Sequence, residues 1–255
     1  MSRAKLLRVR LPYALPSREF SMRFRSVASL LAFCCLFANG CSKGISRATA
    51  ATVFSVKGNV VFGNSERNRF QPVTLKSRIH SGNTVRSADG ASINLALIPG
   101  ALAQLSGNSD IKIEELTITK DGNQTAGGMQ ERSTRIRLNR GKIIVLFNRS
   151  DRSASQFAIT TRKTTVRADS DCLFCVWTDG TTSRVTCARG EINASADARP
   201  QAAIAPGYFR KSPTARKEPL AAADDAAAQI DITESLEIGE QLRDQALGWQ
   251  NRRPL

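Results

Sequence analysis

The chain has 255 residues, with 37 Lys and Arg against 22 Asp and Glu, so its formal net charge is +15. The excess lies in residues 41–217, which carry 27 basic and 13 acidic side chains, whereas residues 218–255 carry three basic and eight acidic ones. A basic chain suggests nucleic acid as a partner. The aromatic residues, however, are scattered along the sequence and do not form a stacking platform on one strand face. The scattered aromatic residues argue against nucleic acid as a partner, and the composition is typical of one basic domain with an acidic tail.

Residues 1–40 are typical of an N-terminal extension followed by a secretory signal peptide. Their apolar run, residues 27–38, has twelve residues, whereas a membrane-spanning helix needs about 20. The run matches the apolar core of a signal peptide, and Arg23 and Arg25 supply the positive segment before it. We expect translation to begin at Met22 and the protein to be exported.

The signal ends in "ANGC", which resembles a bacterial lipobox with Cys41 as the lipidated residue. The resemblance implies a lipid anchor at Cys41, a linker over residues 41–51, and an outer-membrane location, since Ser42 follows the cysteine. Two or three acyl chains hold a protein on a membrane, whereas a single chain binds only marginally. The alternative is cleavage after Ala50, which would release a secreted protein.

Short strands broken by Gly, Asn and Asp predict an all-β domain over residues 52–211. Segments such as "SINLAL" and "TRIRLN" alternate apolar and polar residues, and "KIIVLF" is a continuous apolar run suited to a strand buried on both faces. Residues 119–134 are polar and predict a long loop. Residues 212–255 predict a linker and an amphipathic helical tail. We expect the tail to cap the β domain or to dock on its basic surface, and the alternative is that it binds a separate partner.

Three cysteines remain beyond the signal and the lipidation site: Cys172, Cys175 and Cys187. Asp179-Gly180 lies between two β-rich segments and predicts a two-residue hairpin turn. With Thr178 opposite Thr181, Cys172 and Cys187 would lie directly across the hairpin, so we expect a disulfide in an oxidising periplasm. A structural zinc site needs four ligands, and three cysteines with a distant His80 lead us to expect neither metal nor cofactor.

The order of these segments resembles the FecR domain, the periplasmic domain named for the ferric-citrate sensor. The resemblance is carried by "VFSVKGNVVF", "SRIHSGNTVRSADGASINLAL", "RIRLNRGKIIVLF", "FAITTRKTTVRADSDCLFCVW", "TTSRVTCARGEINA" and "AIAPGYFRK". It implies a β-solenoid-like or roll-like fold over residues 52–211. The glycines that match the family's turns are Gly58, Gly82, Gly141, Gly190 and Gly207.

The chain also departs from that family. Where the family has Gly-Thr after "VR", this chain has "VRADSDCLFCV". Family sensors carry a cytoplasmic anti-sigma region before the domain, whereas the 40 residues before Cys41 are typical of a signal peptide. We therefore do not expect this chain to sequester a sigma factor. The matching positions are glycines and apolar residues, which determine turns and strands, and the resemblance therefore predicts the fold more than an activity.

No familiar catalytic motif is present in the sequence. The polar residues that could carry chemistry have simpler interpretations as surface or turn residues: His80, Ser81, Glu114, Glu115, Asp169 and Asp171. We expect a non-enzymatic envelope lipoprotein whose FecR-type domain contacts an envelope protein or senses a ligand. The alternative is a module that binds acidic polysaccharide through its basic surface, and a cell-wall hydrolase that depends on His80 is a weaker third hypothesis.

Overall fold

The computed structural model describes residues 45–120, 129–149, 154–196, 201–213 and 218–250. These residues belong to one compact unit that spans Lys43–Leu255. The predicted signal peptide, the lipidation site Cys41 and the start of the linker lie outside the described residues.

Within the described residues the chain forms eighteen strands followed by one long helix. The strands are β1 (Ile45–Ala48), β2 (Ala50–Lys57), β3 (Val60–Asn64), β4 (Arg69–Pro72), β5 (Arg78–His80), β6 (Thr84–Ser87), β7 (Ser92–Ile98), β8 (Ala101–Leu105), β9 (Ser109–Lys120), β10 (Met129–Phe147), β11 (Ala154–Thr160), β12 (Thr164–Ala168), β13 (Cys172–Thr178), β14 (Ser183–Arg189), β15 (Ile192–Ala196), β16 (Ala202–Ile204), β17 (Tyr208–Ser212) and β18 (Leu220–Ala221). A 3-10 turn at Ala222–Asp224 leads into helix α1, Ala226–Gln250.

The strands pair in two sheets that share the long strand β10. In sheet A the order is β4, β3, β6, β9, β10, β11, β12, β15 and β16, and β1 lies beside the C-terminal half of β9. In sheet B the order is β5, β2, β7, β8, β10, β13, β14, β17 and β18. The β10–β11 pair in sheet A is parallel, and among the described strands neither sheet closes on itself.

Strand β10 passes from one sheet to the other at Gly141. Arg140 is its last partner in sheet A, and Gly141 is its first in sheet B. Gly141 has φ of +94°, and a Cβ there would lie 2.0 Å from Ser109 Oγ. Only glycine avoids both the left-handed strain and the collision, so this residue type is required where β10 changes sheets.

The main core lies between the inner faces of the two sheets. Alternating apolar residues of both sheets are fully buried there, among them Ile111 and Ile136 from sheet A and Leu95 and Val145 from sheet B. Phe157 of sheet A stacks between two rings of sheet B, with its centroid 5.7 Å from Phe147 and 6.1 Å from Phe174. These tilted aromatic contacts add to the burial of apolar area that joins the sheets.

Helix α1 packs on the outer face of sheet B and forms a second, smaller core. That core contains Ile144, Leu173 and Cys175 of the sheet and Ile238 and Leu242 of the helix. The prediction that the tail docks on the β domain is confirmed. In the described part of the chain no helix has both the length and the apolar character to cross a membrane.

The all-β class with a C-terminal helix is confirmed, and the boundaries differ from the prediction at both ends. Pairing begins at Ile45 and Ala50, inside the segment expected to be a linker, and it extends through Ser212 to the short strand β18. The predicted loop over residues 119–134 is shorter, because β9 runs to Lys120 and β10 starts at Met129. The finer description as a solenoid-like roll stays a prediction.

Candidate binding face on sheet B

The outer face of sheet B carries three parallel cross-strand rows of side chains. The strand register places the members of each row directly beside one another, so neighbours lie about 4.8 Å apart. The latch row runs Lys142, Trp177, Arg184, Lys211. The covered row runs Asn94, Gln104, Ile144, Cys175. The groove row runs Arg78, Thr52, Ala96, Leu102, Leu146, Leu173, Arg189.

Acidic residues of helix α1 hold the helix on the latch row through ion pairs, which together are called the latch. The Asp231 carboxylate is 2.6 Å from Arg184 Nε and 3.7 Å from Lys142 Nζ, and its side chain is only 2% exposed. Lys142 also donates a hydrogen bond to Glu234, and the Arg184 guanidinium lies 5.2 Å from the Trp177 ring centroid. A carboxylate this deeply buried is tolerated because two cations pair with it.

The latch changes the proton affinity of the groups around it. Burial lowers the pKa of Lys142, but the hydrogen bond to Glu234 and the attraction of nearby acidic groups, including Asp231, outweigh it and leave the pKa above its ordinary value. Burial, reinforced by Asp231, raises the pKa of the Cys175 thiol well above its usual range. Lys142 is therefore fully charged at neutral pH, and Cys175 is a neutral thiol.

Asp225 directly precedes helix α1 and caps its N-terminus. Its carboxylate accepts a hydrogen bond from the backbone N–H of Ala228 at 3.0 Å and another from Lys211 at the end of the latch row. Asp is a favoured capping residue because it satisfies an N–H that the first helical turn leaves unpaired. The hydrogen bond from Lys211 is the main cause that lowers the pKa of Asp225.

The middle of the helix lies on the covered row. At one end of that row Asn94 donates to Gln245 Oε1 and accepts from Gln104, both at 2.9 Å. At the other end Ile144 and Cys175 are fully buried. The helix packs closely against Leu173 of the neighbouring groove row at Gly239. A Cβ on residue 239 would lie 2.8 Å from Leu173 Cδ2, so glycine permits this contact.

The groove row borders a groove beside the helix that no other described side chain fills. The groove has a volume of about 950 Å³, and its floor includes Leu102, Leu146 and Leu173. Arg78 and Arg189 lie at the two ends of the row, and Arg243 lines the groove from the helix side. The arrangement is a partly open apolar channel with guanidinium groups on its rim, which suits a ligand that is apolar along most of its length and anionic at an end.

The predicted cysteine pairing does not occur in the structure. The hairpin pairs Thr178 with Ser183, so Phe174 lies opposite Cys187, and Cys172 and Cys187 are both free. The register differs because Asp179 Oδ1 accepts the backbone N–H groups of Thr181 and Thr182, each at 2.7 Å, and closes a four-residue loop. The prediction that Cys172 and Cys187 lie directly opposite each other is wrong.

The cysteine thiols are buried on two different faces. Cys172 and Cys187 face the core between the sheets, whereas Cys175 faces helix α1. Burial raises the pKa of Cys172, and it raises the pKa of Cys187 to about 12. Among the described residues no three His, Cys, Asp or Glu side chains lie together in a way that could hold a metal ion.

The polar residues considered for chemistry are dispersed over sheet A and the ends of the strands. Ser81 Oγ accepts the backbone N–H of Leu116 at 2.9 Å, and the backbone N–H of His80 donates to Asn83 Oδ1. The two acidic pairs are also engaged locally. Glu114 forms an ion pair with Arg137 at 2.7 Å, and Glu115 forms one with Arg135 at 3.6 Å. Asp171 Oδ1 accepts a hydrogen bond from the backbone N–H of Arg149 at 2.5 Å, and the Asp169 carbonyl accepts one from the Arg149 guanidinium at 3.0 Å.

The five glycines that carried the resemblance all have positive φ, from +73° to +94°. At Gly190, next to the groove, a Cβ would lie 2.0 Å from the carbonyl oxygen of Asp171. No local pattern in the sequence predicts the groove row, because its members come from seven strands and meet only through the sheet register. The one local hint is that Leu102 and Leu146 occupy outward positions, where an alternating strand would usually carry polar residues.

Comparison with known proteins gives a match to a family model and similar solved structures. A family model described as "FecR protein" matches residues 83–193, and no curated protein matches the chain. Two crystal structures of a candidate anti-sigma factor from Parabacteroides distasonis, at 1.65 and 2.50 Å resolution, are each 14% identical in sequence, with TM-scores of 0.40 and 0.39. Each match covers 54% of this chain and 57% of the neighbour.

Proposed function

We propose that the protein is a non-enzymatic lipoprotein of the bacterial cell envelope, because residues 83–193 match a FecR family model. In this proposal Cys41 carries the lipid anchor, and the FecR domain contacts another envelope protein or senses a ligand. The family match is the observation that carries the proposal, because the domain is one of signalling and interaction proteins.

The position of the matched segment supports a binding role. Residues 83–193 include the central strands of both sheets, from β6 to the start of β15. Five strands of sheet B (β7, β8, β10, β13 and β14) lie inside the match, and helix α1 lies outside it. The helix is thus an addition that covers part of an otherwise exposed face of the domain and leaves the groove beside it.

The sheet edges offer a second route to a partner. Strand β16 is the last strand of sheet A and β5 is the first of sheet B. Each has one paired side among the described strands, and an extended segment of another protein can add to such an edge through backbone hydrogen bonds. We propose these edges as the surfaces for an envelope protein.

A site-specific photo-crosslinking experiment in the native envelope tests this proposal. A photoreactive residue at Ala203 in β16 or at His80 in β5 should give a protein adduct of one discrete mass, whereas the same residue at Asp89 in a turn serves as the control. The adduct should persist when salt is raised from about 0.1 M to about 0.5 M, since backbone pairing is screened little. Absence of a discrete adduct at both edges would refute edge pairing.

The alternative function, binding of acidic polysaccharide, is favoured by the positive charge of residues 41–217. Such binding would depend on Coulomb attraction between exposed charges, which weakens as salt is added. Retention of the purified protein on an immobilised acidic polysaccharide should then fall steeply over the same salt range. Retention that does not respond to salt would contradict this alternative.

A further inference from the structure

We propose that the groove beside helix α1 binds one long-chain amphiphile with a single anionic head. The acyl chain would lie along Leu102, Leu146 and Leu173, and the carboxylate or phosphate head would lie between Arg189 and Arg243. This inference deepens the ligand-sensing part of the proposed function and rests on it, because it names the ligand class.

The floor of the groove has the length and the chemistry for an acyl chain. From Ala96 to Leu173 the groove row crosses three strand spacings, or about 14 Å, and every member of that stretch is apolar. Leu247 lines the helix side of the groove and is 54% exposed. Ala96, Leu102 and Leu146 are half-buried, whereas Leu173 is fully buried against the helix. Covering the exposed parts of this row with methylene groups would remove apolar area from water, which is the main source of affinity for such ligands.

Two guanidinium groups, those of Arg189 and Arg243, line the groove at the Leu173 end. Arg189 Nη2 is 3.5 Å from Glu240 Oε1, and these side chains are 47% and 64% exposed, so this pair is weak. Arg243 follows Glu240 by three residues and lies on the same helix face. Asp171 also lines this end, and its carboxylate accepts a hydrogen bond from the backbone N–H of Arg149. An anionic head would bind both guanidinium groups by replacing the weakly held Glu240 carboxylate.

The size of the groove is that of a small-molecule site. The groove holds about 950 Å³, which lies within the range of about 300–1,000 Å³ that is typical of such sites. A single acyl chain with its head group fits this volume.

The experiment is equilibrium binding of defined amphiphiles to the purified chain, measured by calorimetry below the micelle threshold. Palmitate and lysophosphatidic acid supply carboxylate and phosphate heads, and monopalmitoyl glycerol is the neutral control. We expect saturable 1:1 binding of at least one anionic probe, at least about tenfold tighter than that of the neutral probe. Tighter binding of palmitate would indicate a fatty acid as the ligand, and tighter binding of lysophosphatidic acid would indicate a phospholipid.

Two variants test the two halves of the site. Arg243→Gln changes an exposed helix residue and should weaken anion binding by about tenfold while leaving the neutral probe unchanged. Leu146→Glu places a charge on the floor and should abolish binding of all three probes. Arg137→Gln, on the outer face of sheet A, is the matched control and should bind as the parent chain does. If Leu146→Glu does not fold, the Arg243→Gln result alone decides the proposal.

Three results would overturn the inference. These are no saturable binding of either anion, equal affinity for the neutral and anionic probes, or unchanged anion binding in Arg243→Gln. A synthetic acidic amphipathic helix unrelated in sequence to α1 that binds the groove where palmitate does not would show that the groove takes a protein. Because these measurements contain no envelope partner, their failure leaves the crosslinking test of the proposed function intact.

Discussion

Replacing Asp231 by Asn tests whether the latch holds helix α1 on sheet B. The substitution keeps the size of the side chain and removes its charge, so Arg184 and Lys142 lose a carboxylate partner. Their side chains are 12% and 20% exposed, and removing one member of a buried ion pair costs about 3–5 kcal/mol. Lys142 keeps its contact with Glu234, so we expect a loss at the lower end of that range, about 3 kcal/mol, in the free energy of unfolding from urea titration.

The Cys175 thiol reports where this loss occurs. Cys175 is fully buried beneath the helix, whereas Cys172 and Cys187 face the core between the sheets. If the latch is weakened, the helix should open locally before the sheets separate. Alkylation followed by peptide mass spectrometry should then show faster labelling of Cys175 in the Asp231→Asn variant, with Cys172 and Cys187 still protected.

The matched control is Glu240→Gln on the same helix. Glu240 pairs with Arg189 at 3.5 Å, and both side chains are largely exposed, so the change should cost less than about 0.5 kcal/mol. The reasoning fails if Asp231→Asn and Glu240→Gln are equally stable, or if the three thiols of Asp231→Asn label at one common rate. The latter result would mean that the helix and the sheets unfold together.

Three further predictions concern the anchor, a glycine and the helix cap. Cys41→Ser should move the protein from the membrane fraction to the soluble fraction of the envelope, and unchanged fractionation would exclude the lipid anchor. Gly141→Ala should destabilise the fold by about 2–4 kcal/mol in urea titration, because its Cβ would collide with backbone and side-chain atoms. Gly207→Ala has a similar φ and open space around it and should cost only about 1 kcal/mol, so equal losses would contradict the collision argument. Since the pKa of Asp225 is lowered in the folded state, its contribution to stability is present above its ordinary pKa and is lost as pH falls through the folded value. Asp225→Asn should therefore lose less stability than the parent chain in urea titrations between pH 6 and pH 3, and parallel pH profiles would contradict this.

The sequence predicted those elements whose signals are local. Alternation in "SINLAL" and the run "KIIVLF" identified β7 and the sheet B half of β10, because side-chain period and apolar continuity report burial directly. The acidic tail was likewise recognisable as a helix that docks on a basic surface. The pairing of two sheets around one shared strand could not be predicted, since it depends on contacts between residues that are distant in the chain.

The hairpin shows how a local signal can locate a turn and still give the wrong register. Asp179-Gly180 does lie at the turn, and Gly180 has a φ of +97°. The Asp179 carboxylate, however, accepts hydrogen bonds from Thr181 and Thr182, which lowers its pKa and stabilises a four-residue loop in place of the two-residue turn. Two additional loop residues shift the opposite strand by two positions, and this shift alone removes the predicted opposition of Cys172 and Cys187.

The groove depends on the helix in a way that no single segment of the sequence encodes. The latch fixes the N-terminal part of α1 over β10 and β14, and the hydrogen bond between Gln245 and Asn94 fixes the C-terminal part over β7. A helix held at these two points covers the row that contains Ile144 and Cys175, buries Leu173 of the adjacent apolar row, and leaves Ala96, Leu102 and Leu146 of that row half-buried. The same placement brings Arg243 to the rim of that row. The charge of the latch and the shape of the groove are thus parts of one arrangement, in which the acidic residues of the tail determine how much of the sheet remains open to a ligand.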